Sequence, residues 1–313
     1  MIGYKSIYIW VEQYLFFPNI FQKLISILLL PITILFCIIT VYKRATAKPF
    51  DFKIPIISVG NLIVGGSGKT PVTIAIAKNK KDIAIILRGY GRKSKGLKVV
   101  SNHGNILVDT QISGDEAMLL ATSLTNATII VSNNREEGIL KAKQLDSKII
   151  ILDDAFHKYN IKKFDILIRP KIEPTNIFCL PSGGYRETKI MYSFASLVLQ
   201  DGIDFTRIVT FNKNNQIVKE LPKRLILLTA ISKPKRLLEF LHEDTIIVSY
   251  PDHYYFKQDD LEQVKTKYPN YSIITTQKDE VKLRQFDIKN LYIMNLDINI
   301  TQENINRIDN FIG

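Results

Sequence analysis

The chain has 313 residues, 46% hydrophobic and 23% charged, which is enough to bury a sizeable core in one large domain or two ordinary ones. Its two cysteines come without a CxxC pair or a histidine cluster, which excludes a disulfide framework and a zinc site and suits a reducing compartment. The net charge of +12 predicts an anionic partner, which is a nucleic acid, a phospholipid surface or a phosphorylated substrate.

The first predicted element is an apolar helix near the N-terminus. Nineteen residues without a charge lie between Lys23 and Lys43. As one helix they extend about 28 Å, close to the hydrocarbon thickness of a bilayer. Pro31 and the aromatic residues before this segment equally favour a helix that lies in the membrane interface, so span and interfacial helix remain alternatives, with a buried core helix as a third. More basic residues follow the segment than precede it, which predicts that the rest of the chain is cytoplasmic.

Short apolar runs alternate with amphipathic stretches from residue 54 onward, as in a mostly parallel sheet with connecting helices. The predicted strands are 55–59, 83–87, 127–131, 148–152 and 164–168, and the predicted helices are 69–79, 115–124 and 134–144. A polar stretch rich in asparagine and lysine at 205–223 interrupts the pattern. Strands are predicted again at 225–231, 245–250, 271–276 and 291–296.

A glycine-rich loop, GNLIVGGSGKTP at 60–71, joins the first strand to the first helix. In a phosphate-binding loop (P-loop), the backbone N–H groups of such a turn and of the helix N-terminus converge on a phosphate. Lys69 is expected to reach the β- and γ-phosphates, and the Thr70 hydroxyl to ligate Mg²⁺. Ile63 stands where the strict pattern has glycine, so a chance Gly-Lys-Thr in a structural turn is the alternative. The predicted nucleotide-binding residues are Gly65, Gly66, Ser67, Gly68, Lys69 and Thr70.

Two carboxylates end a later strand, IIILDD at 149–154. Ligands bind at the carboxyl ends of strands in open α/β sheets, so Asp153 or Asp154 is expected to hold Mg²⁺. Solvated acids at a strand end are the alternative. The Asn-Lys-x-Asp signature of guanine recognition is absent from the sequence, which favours ATP as the nucleotide.

The acceptor decides whether such a protein is a kinase or a mechanical ATPase. A kinase needs a base for its acceptor, and the chain has only four histidines. His253 follows a predicted strand in an aromatic turn, and Asp115 opens a predicted helix. A cleft between two domains is expected to bring them together. The alternatives are a helix N-cap for Asp115 and a packed turn histidine for His253.

These elements predict an α/β fold with a P-loop-containing three-layer α/β/α domain, a smaller α/β domain and an N-terminal membrane helix. The predicted divisions are 1–45 for the membrane-associated segment, 46–204 for the P-loop domain, 205–223 for a linker and 224–313 for the smaller domain.

Seven sequence segments occur together in a fixed order behind the apolar helix: GNLIVGGSGKTP, LRGYGRKSKG (87–96), GDE (114–116), LDDAFHK (152–158), LPSGGYRE (180–187), YPDHYYF (250–256) and TTQKDEVKL (275–283). Together they resemble the tetraacyldisaccharide 4'-kinase family of lipid A biosynthesis over about residues 1–285. The loop with a non-glycine residue at position 63 and Pro71 after Thr70 resembles the family's own version.

The resemblance implies an enzyme that transfers the γ-phosphate of ATP to the 4'-hydroxyl of an acylated disaccharide 1-phosphate, with ATP and Mg²⁺ as cofactors. It implies that Asp115 and His253 accept the proton of the sugar hydroxyl, and that Arg186 contacts the transferring phosphate. It also implies action as a monomer at the cytoplasmic face of the inner membrane, on an anionic surface and without nucleic acid. The implied catalytic residues are Asp115, His253, Lys69 and Arg186, and the implied metal-binding residues are Thr70, Asp153, Asp154 and Glu116.

The chain departs from the family pattern where the family has DDGFQH and this chain has DDAFHK, which puts any role of His157 and Lys158 in doubt. It also has LPSGGYRE where LPAGPLRE is usual. A membrane-tethered P-loop ATPase or regulatory switch without a glycolipid acceptor is the alternative function. Nucleic-acid binding is disfavoured because the basic residues are dispersed.

Overall fold

The computed structural model describes residues 2–65, 68–214, 216–231 and 234–313. The helices are α1 (Ile2–Phe16), α2 (Ile20–Leu28), α3 (Leu30–Ala45), α4 (Lys69–Ala77), α5 (Thr110–Ser113), α6 (Asp115–Ser123), α7 (Arg135–Gln144), α8 (Gln258–Lys267), α9 (Gln277–Leu283) and α10 (Gln302–Ile312). The strands are β1 (Ile56–Asn61), β2 (Ile83–Leu87), β3 (Lys98–Asn102), β4 (Asn105–Ile106), β5 (Thr128–Val131), β6 (Ile149–Asp153), β7 (Phe164–Arg169), β8 (Leu197–Gln200), β9 (Phe205–Lys213), β10 (Gln216–Val218), β11 (Leu225–Thr229), β12 (Ile246–Ser249), β13 (Ser272–Thr276) and β14 (Leu291–Ile300).

The strands form two sheets. One has eight strands in the order β4-β3-β5-β2-β6-β1-β7-β8, and the other has six in the order β10-β9-β14-β13-β11-β12. Parallel pairs such as β1 with β7 and β11 with β13 predominate, while β3 and β10 are antiparallel to their neighbours. The α/β class expected from the alternating apolar runs is therefore confirmed.

By its internal contacts the chain divides into two units. One contains the chain up to Lys69, Ile151–Phe205 and Thr301–Gly313, and the other contains Thr70–Ile150 and Thr206–Ile300. The first unit is built on β1 and β7, which pair in parallel with Val59 opposite Ile166. Every residue of β1 is buried, as expected for a sheet that is covered on both faces.

The prediction of one continuous apolar helix at the N-terminus is wrong. The segment is broken at Leu29 into α2 and α3, whose axes are bent by 57°. Pro31 lies at the start of α3, where its missing N–H costs nothing, so the chain begins a new helix there. Among the residues that the structure describes, no single helix is long and apolar enough to cross a bilayer, and α2 and α3 meet these criteria only as a bent pair.

Three uncharged polar side chains of α2 and α3 face inward. Gln22, Ser26 and Thr33 are buried, whereas Phe21 and Leu28 are 75% and 78% exposed. Within this unit the Thr33 hydroxyl donates a hydrogen bond to Ser182 Oγ at 2.7 Å, and the Gln22 amide donates to a backbone carbonyl of α1 at 3.1 Å. These helices are thus held by hydrogen bonds on one face and present an apolar face outward.

The second unit contains the six-stranded sheet and the strands β2 to β5. All five residues of β11 are buried, and its inner face packs on an apolar cluster with Phe256 and Leu261. The asparagine- and lysine-rich stretch, for which no regular structure was predicted, contains the antiparallel strands β9 and β10. Helix α9 begins directly after β13, so that its first residues lie at the carboxyl end of a parallel strand.

Candidate functional site

The glycine-rich loop has the backbone of a strand-to-helix turn. Gly65 and Gly68 have φ angles of +92° and +88°, a region that side chains with a Cβ rarely adopt, and α4 begins at Lys69. Lys69 Nζ donates a hydrogen bond to Asn61 Oδ1 at 3.1 Å. Gly66 and Ser67, predicted to bind nucleotide, lie outside the described residues.

Ile63, the departure from the strict loop pattern, has a structural reason. It lies in an antiparallel bridge with Tyr185, and its backbone is not in the positive-φ region that would require glycine. Its side chain packs against an apolar cluster that includes Leu62 and Phe156. The Arg186 N–H donates to the carbonyl of Leu62 at 2.7 Å, so this bridge also brings Arg186 beside the loop.

Asp154 pairs with two cations, Arg186 and Lys69, beside the glycine-rich loop. Both of its carboxylate oxygens accept hydrogen bonds of 2.9 Å from Arg186 Nη1, and Oδ1 lies 3.7 Å from Lys69 Nζ. Burial alone would raise the pKa of Asp154, but the positive charges of Lys69 and Arg186 outweigh it and lower that pKa. The carboxylate is therefore ionised at neutral pH between two cations that can neutralise a phosphate.

Asp153 ends β6 and is buried. The next residue, Asp154, has a φ of +50° and donates its N–H to the carbonyl of Val59 at 2.9 Å. This turn places the two carboxylates at the carboxyl end of β6, as the sequence predicted, and their role as ligands stays a prediction. Of the altered positions that follow, Ala155 is buried, whereas His157 is exposed and Lys158 is partly exposed.

Asp115 is the first residue of α6, and Gly114 is the N-cap, so the alternative N-cap role of Asp115 is wrong. Its side chain is 3% exposed, and Oδ1 and Oδ2 lie 2.9 and 3.0 Å from His253 Nδ1. His253 has a φ of +60°, and its N–H is directed at the carbonyl of Ala230 at 3.2 Å. The pair that the sequence predicted is thus formed, but the predicted cleft between two domains is wrong, because both residues lie in the second unit.

The charges of this pair support one another. Burial raises the pKa of Asp115, but the hydrogen bond from His253 and the charges of Lys278 and Lys282 reverse this and bring that pKa to about 2. The hydrogen bond to Asp115 raises the pKa of His253, against the opposing effects of burial and of Lys278. With Asp115 ionised, Nδ1 of neutral His253 carries the hydrogen and Nε2 is free to accept a proton.

His253 Nε2 makes no hydrogen bond among the described residues. Its closest carboxylate oxygen in an ion pair is Asp252 Oδ2, at 3.8 Å. The ring of Tyr90 lies beside the imidazole, with 5.2 Å between the ring centroids. The arrangement can therefore accept a proton at Nε2 from a bound hydroxyl.

Two lysines beside Asp115 were missed by the sequence analysis, although their segment, TTQKDEVKL, was recognised as part of the resemblance. Lys278 Nζ lies 3.5 Å from Glu116 Oε1 and 3.9 Å from Asp115 Oδ2. Lys282 Nζ lies 3.5 Å from Asp115 Oδ2 and has a fully buried side chain. Their spacing of four residues on a short helix after a strand was the available signal, because such residues share one helix face.

Arg92, in the glycine-containing loop before β3, uses its guanidinium within that loop. It donates to Ser94 Oγ at 3.3 Å and to the carbonyl of Gly96 at 2.7 Å. These contacts hold the loop together.

Among the residues that the structure describes, no group of three or more histidine, cysteine or acidic side chains could hold a metal ion by itself. Mg²⁺ in phosphoryl-transfer sites usually takes one or two carboxylates, and its other ligands are water and phosphate oxygens. Asp153 and Asp154 offer hard oxygen donors at a strand end, which fits that chemistry.

Comparison with known proteins identifies a family. The family model described as tetraacyldisaccharide-1-P 4'-kinase (LpxK) matches residues 25–312. The tetraacyldisaccharide 4'-kinase of Aliarcobacter butzleri is 59% identical over 298 residues, which are 95% of each chain, and that of Helicobacter acinonychis is 44% identical over 97% of this chain and 95% of its own.

A solved structure agrees with these relatives. The crystal structure of LpxK from Aquifex aeolicus, described as an "apo" form in complex with ATP, matches with a TM-score of 0.74 and 27% identity. The match covers 92% of this chain and 100% of the other. This chain belongs to the tetraacyldisaccharide-1-P 4'-kinase family.

Proposed function

We propose that this protein is a kinase that transfers the γ-phosphate of ATP to the 4'-hydroxyl of a tetraacyl disaccharide 1-phosphate in lipid A biosynthesis. One observation carries the proposal beyond family membership. His253 is held at Nδ1 by Asp115 at 2.9 Å, while Nε2 has no hydrogen bond among the described residues. An alcohol acceptor needs a base that is oriented in this way. The alternative function, a tethered ATPase or switch without a glycolipid acceptor, does not explain why such a base is present.

In the proposed reaction, His253 Nε2 takes the proton from the 4'-hydroxyl as the oxygen attacks the γ-phosphorus. The bond between the γ-phosphorus and the bridging oxygen breaks, and its electron pair leaves with ADP. Asp115 stabilises the imidazolium that forms. Such a base contributes about 10²- to 10⁴-fold to the rate.

Lys69 and Arg186 have a different proposed role, which is to neutralise phosphate charge. Both already lie against Asp154, with Nζ at 3.7 Å and Nη1 at 2.9 Å. Phosphoryl transfer depends chiefly on positioning and on such charge neutralisation. The loop glycines and the N-terminus of α4 are proposed to bind the phosphates through backbone N–H groups.

Asp153 and Asp154 are the residues of the first unit that would hold Mg²⁺, and for Thr70 and Glu116 a metal role remains a prediction from the resemblance. A bound Mg²⁺ would supply charge neutralisation and orientation of the β- and γ-phosphate oxygens. The lowered pKa of Asp154 keeps this carboxylate in the form that such an ion binds.

The lipid part of the substrate is proposed to meet the first unit near α3. A cavity of about 290 Å³ lies there, and the residues that line it include Phe36, Val41 and Met191 together with Arg44 and Arg186. We further propose that the exposed apolar faces of α2 and α3 lie in the cytoplasmic leaflet of the inner membrane, since contiguous apolar patches on a protein surface mark membrane or protein contacts.

The test is transfer of labelled γ-phosphate from ATP to a tetraacyl disaccharide 1-phosphate in detergent micelles. Wild type is expected to yield a product with a second phosphate, and Lys69→Ala to yield none. Lys78→Ala, which changes an exposed lysine, is the matched control and is expected to behave as wild type. Release of free phosphate that does not depend on the glycolipid would instead support the tethered ATPase.

A further inference from the structure

Lys282 is a buried cation whose position the reaction itself does not explain. Its side chain is fully buried in α9, and its ammonium lies 2.7 Å from Asp279 Oδ1 and 3.5 Å from Asp115 Oδ2. The ring of Phe256 lies 5.6 Å from the same ammonium. The lysine thus joins the carboxylate that holds His253 to a second carboxylate deeper in the protein.

The carboxylate oxygen of Asp279 that does not face Lys282 is held by hydrogen bonds. Its residue is fully buried, and Oδ2 accepts hydrogen bonds from Thr229 Oγ1 at 2.6 Å, from the N–H of Ala230 at 2.9 Å and from Thr276 Oγ1 at 3.1 Å. Those three donors lie at the ends of β11 and β13, or directly after them. Oδ1 has no hydrogen bond among the described residues and makes the ion pair with Lys282.

The contacts of Asp279 and Lys282 continue through Asp115 to His253. Donors on β11 and β13 hold the Asp279 carboxylate by hydrogen bonds. Asp279 forms an ion pair with the ammonium of Lys282, and this ammonium lies 3.5 Å from Oδ2 of Asp115. Oδ1 of Asp115 accepts the N–H of Glu116 at 3.0 Å, so each of its oxygens has a contact besides His253. Both oxygens therefore face Nδ1 at nearly equal distances of 2.9 and 3.0 Å.

Lys278 cannot provide the same constraint. It is 20% exposed, lies 3.9 Å from Asp115, and lies closer to Glu116 and Asp252, at 3.5 and 3.6 Å. A contribution to folding stability also does not explain the buried position of Lys282, because the free-energy cost of desolvating buried charges often cancels the gain from pairing them.

We propose that Lys282, fixed by Asp279, is a positioning residue: it holds the carboxylate of Asp115 in the orientation that keeps the hydrogen of His253 on Nδ1 and leaves Nε2 free for the substrate. The assignment rests on the proposed function, in which His253 is the base. Where a carboxylate orients a catalytic imidazole, loss of the correct tautomer is known to reduce turnover strongly.

The principal variant is Lys282→Met, which keeps an unbranched side chain of similar length without the charge. We expect kcat to fall about 10- to 100-fold, the range found for outer-shell groups that orient metal-binding histidines, with KM for ATP unchanged. Lys265→Met makes the same chemical change on the exposed part of α8 and is expected to leave kcat and KM as in wild type.

A second readout does not need the substrate. In ¹⁵N-histidine-labelled protein, on the alkaline side of the His253 titration, the imidazole nitrogen shifts report which nitrogen carries the hydrogen. The signals of His253 among the four histidines are identified by their loss in His253→Gln. Wild type is expected to show the Nδ1–H form, and Lys282→Met a mixture of Nδ1–H and Nε2–H forms.

The double variant Lys282→Met with Asp279→Asn guards against a purely structural effect, because it removes both charges of the inner pair together. We expect it to recover most of the thermal stability lost in Lys282→Met and yet to keep the low kcat and the mixed tautomer. Recovery of kcat together with stability would overturn the proposal, as would a pure Nδ1–H form with normal kcat in a folded Lys282→Met protein. A wild type with the Nδ1–H form but no phosphate transfer would contradict the proposed function and leave the tautomer test valid.

Discussion

At the residue scale, the proposed base makes a direct prediction. His253→Ala is expected to lower kcat about 10²- to 10⁴-fold, because no other histidine among the described residues pairs with Asp115 and could take its place as the base. ATP affinity is expected to stay at the wild-type value, since the nucleotide is assigned to the loop at Lys69. Steady-state kinetics together with ATP titration would measure both, with His242→Ala as the control histidine. Equal turnover in His253→Ala and wild type would exclude His253 as the base.

The pH dependence of the reaction follows from the same pair. The hydrogen bond that His253 donates to Asp115 raises the pKa of His253, and the proposed base is the neutral form. Hence kcat/KM is expected to rise as the pH rises through this elevated pKa. In Asp115→Asn the stabilising charge is lost, so the pKa of His253 falls and the acid limb moves to lower pH, at a lower maximal rate. An acid limb that stays in place in the variant would mean that another group titrates.

Some of the candidate site residues could be predicted from the sequence and others could not. Asp153, Asp154, Asp115 and His253 could be predicted as candidates because short motifs place carboxylates and a histidine at strand ends and helix starts, and their roles stay predictions. Lys282 could not be assigned a role in the same way, since a lysine in an amphipathic helix is usually exposed and only tertiary packing buries this one. The contact of Arg186 with Asp154 likewise depends on a bridge between segments 62–64 and 184–186 that no local pattern encodes.

At the element scale, Arg44 connects the end of α3 to the rest of its unit. Its guanidinium lies 5.2 Å from the ring centre of Phe156, 5.3 Å from that of Tyr159 and 4.9 Å from that of Phe194. A cation over partly desolvated aromatic rings contributes about 2 kcal/mol. We expect Arg44→Ala to reduce the free energy of unfolding by about that amount and to make the N-terminal helices more sensitive to protease.

Thermal unfolding and limited proteolysis would measure these effects. Lys43→Ala, one residue earlier and exposed, is the control and is expected to unfold and to be cleaved as wild type. If both variants behaved alike, the three rings would not be what holds α3 in place.

The elements themselves were predicted unevenly. Strands such as β2 and β6 were found within a residue or two because continuous runs of isoleucine and leucine mark strands buried on both faces. The short antiparallel strands β4 and β10 were missed, since they have only two and three residues, are largely exposed and carry no such run. The break between α2 and α3 was only hinted at by Pro31, because the apolar composition continues through it.

At the scale of the whole molecule, charge and exposed apolar surface together predict how the protein meets a membrane. The net charge is +12, and the exposed apolar side chains of α2 include Phe21 and Leu28. Each buried side chain of this kind contributes about 1.5–3 kcal/mol, so a charge in its place is expected to weaken vesicle binding about tenfold or more. Phe21→Glu and Leu28→Glu are the variants.

Sedimentation with vesicles of phosphatidylethanolamine and phosphatidylglycerol would measure the affinity, which is also expected to fall with added salt because the charge term is screened. Ile172→Glu provides the matched control, since Ile172 is 72% exposed and lies outside the N-terminal helices. An equal loss in the control would show that any added negative charge weakens binding, and that α2 has no special role.

The bridge at residues 184–186 also bears on how the protein is made. Gly184 donates its N–H to Leu15 at the end of α1 at 3.0 Å, while the carbonyl of Gly184 accepts the N–H of Val64 at 2.9 Å. Three parts of the chain, far apart in sequence, therefore complete one another beside the phosphate loop. On a ribosome, the first 65 residues emerge long before Gly184 is synthesised, so the loop has its glycines early but lacks its strand partner and Arg186 until more than half of the chain has been translated. We therefore expect nucleotide binding at this loop only late in the synthesis of the protein, and until then α2 and α3 lack the segment around Ser182 to which they are hydrogen-bonded.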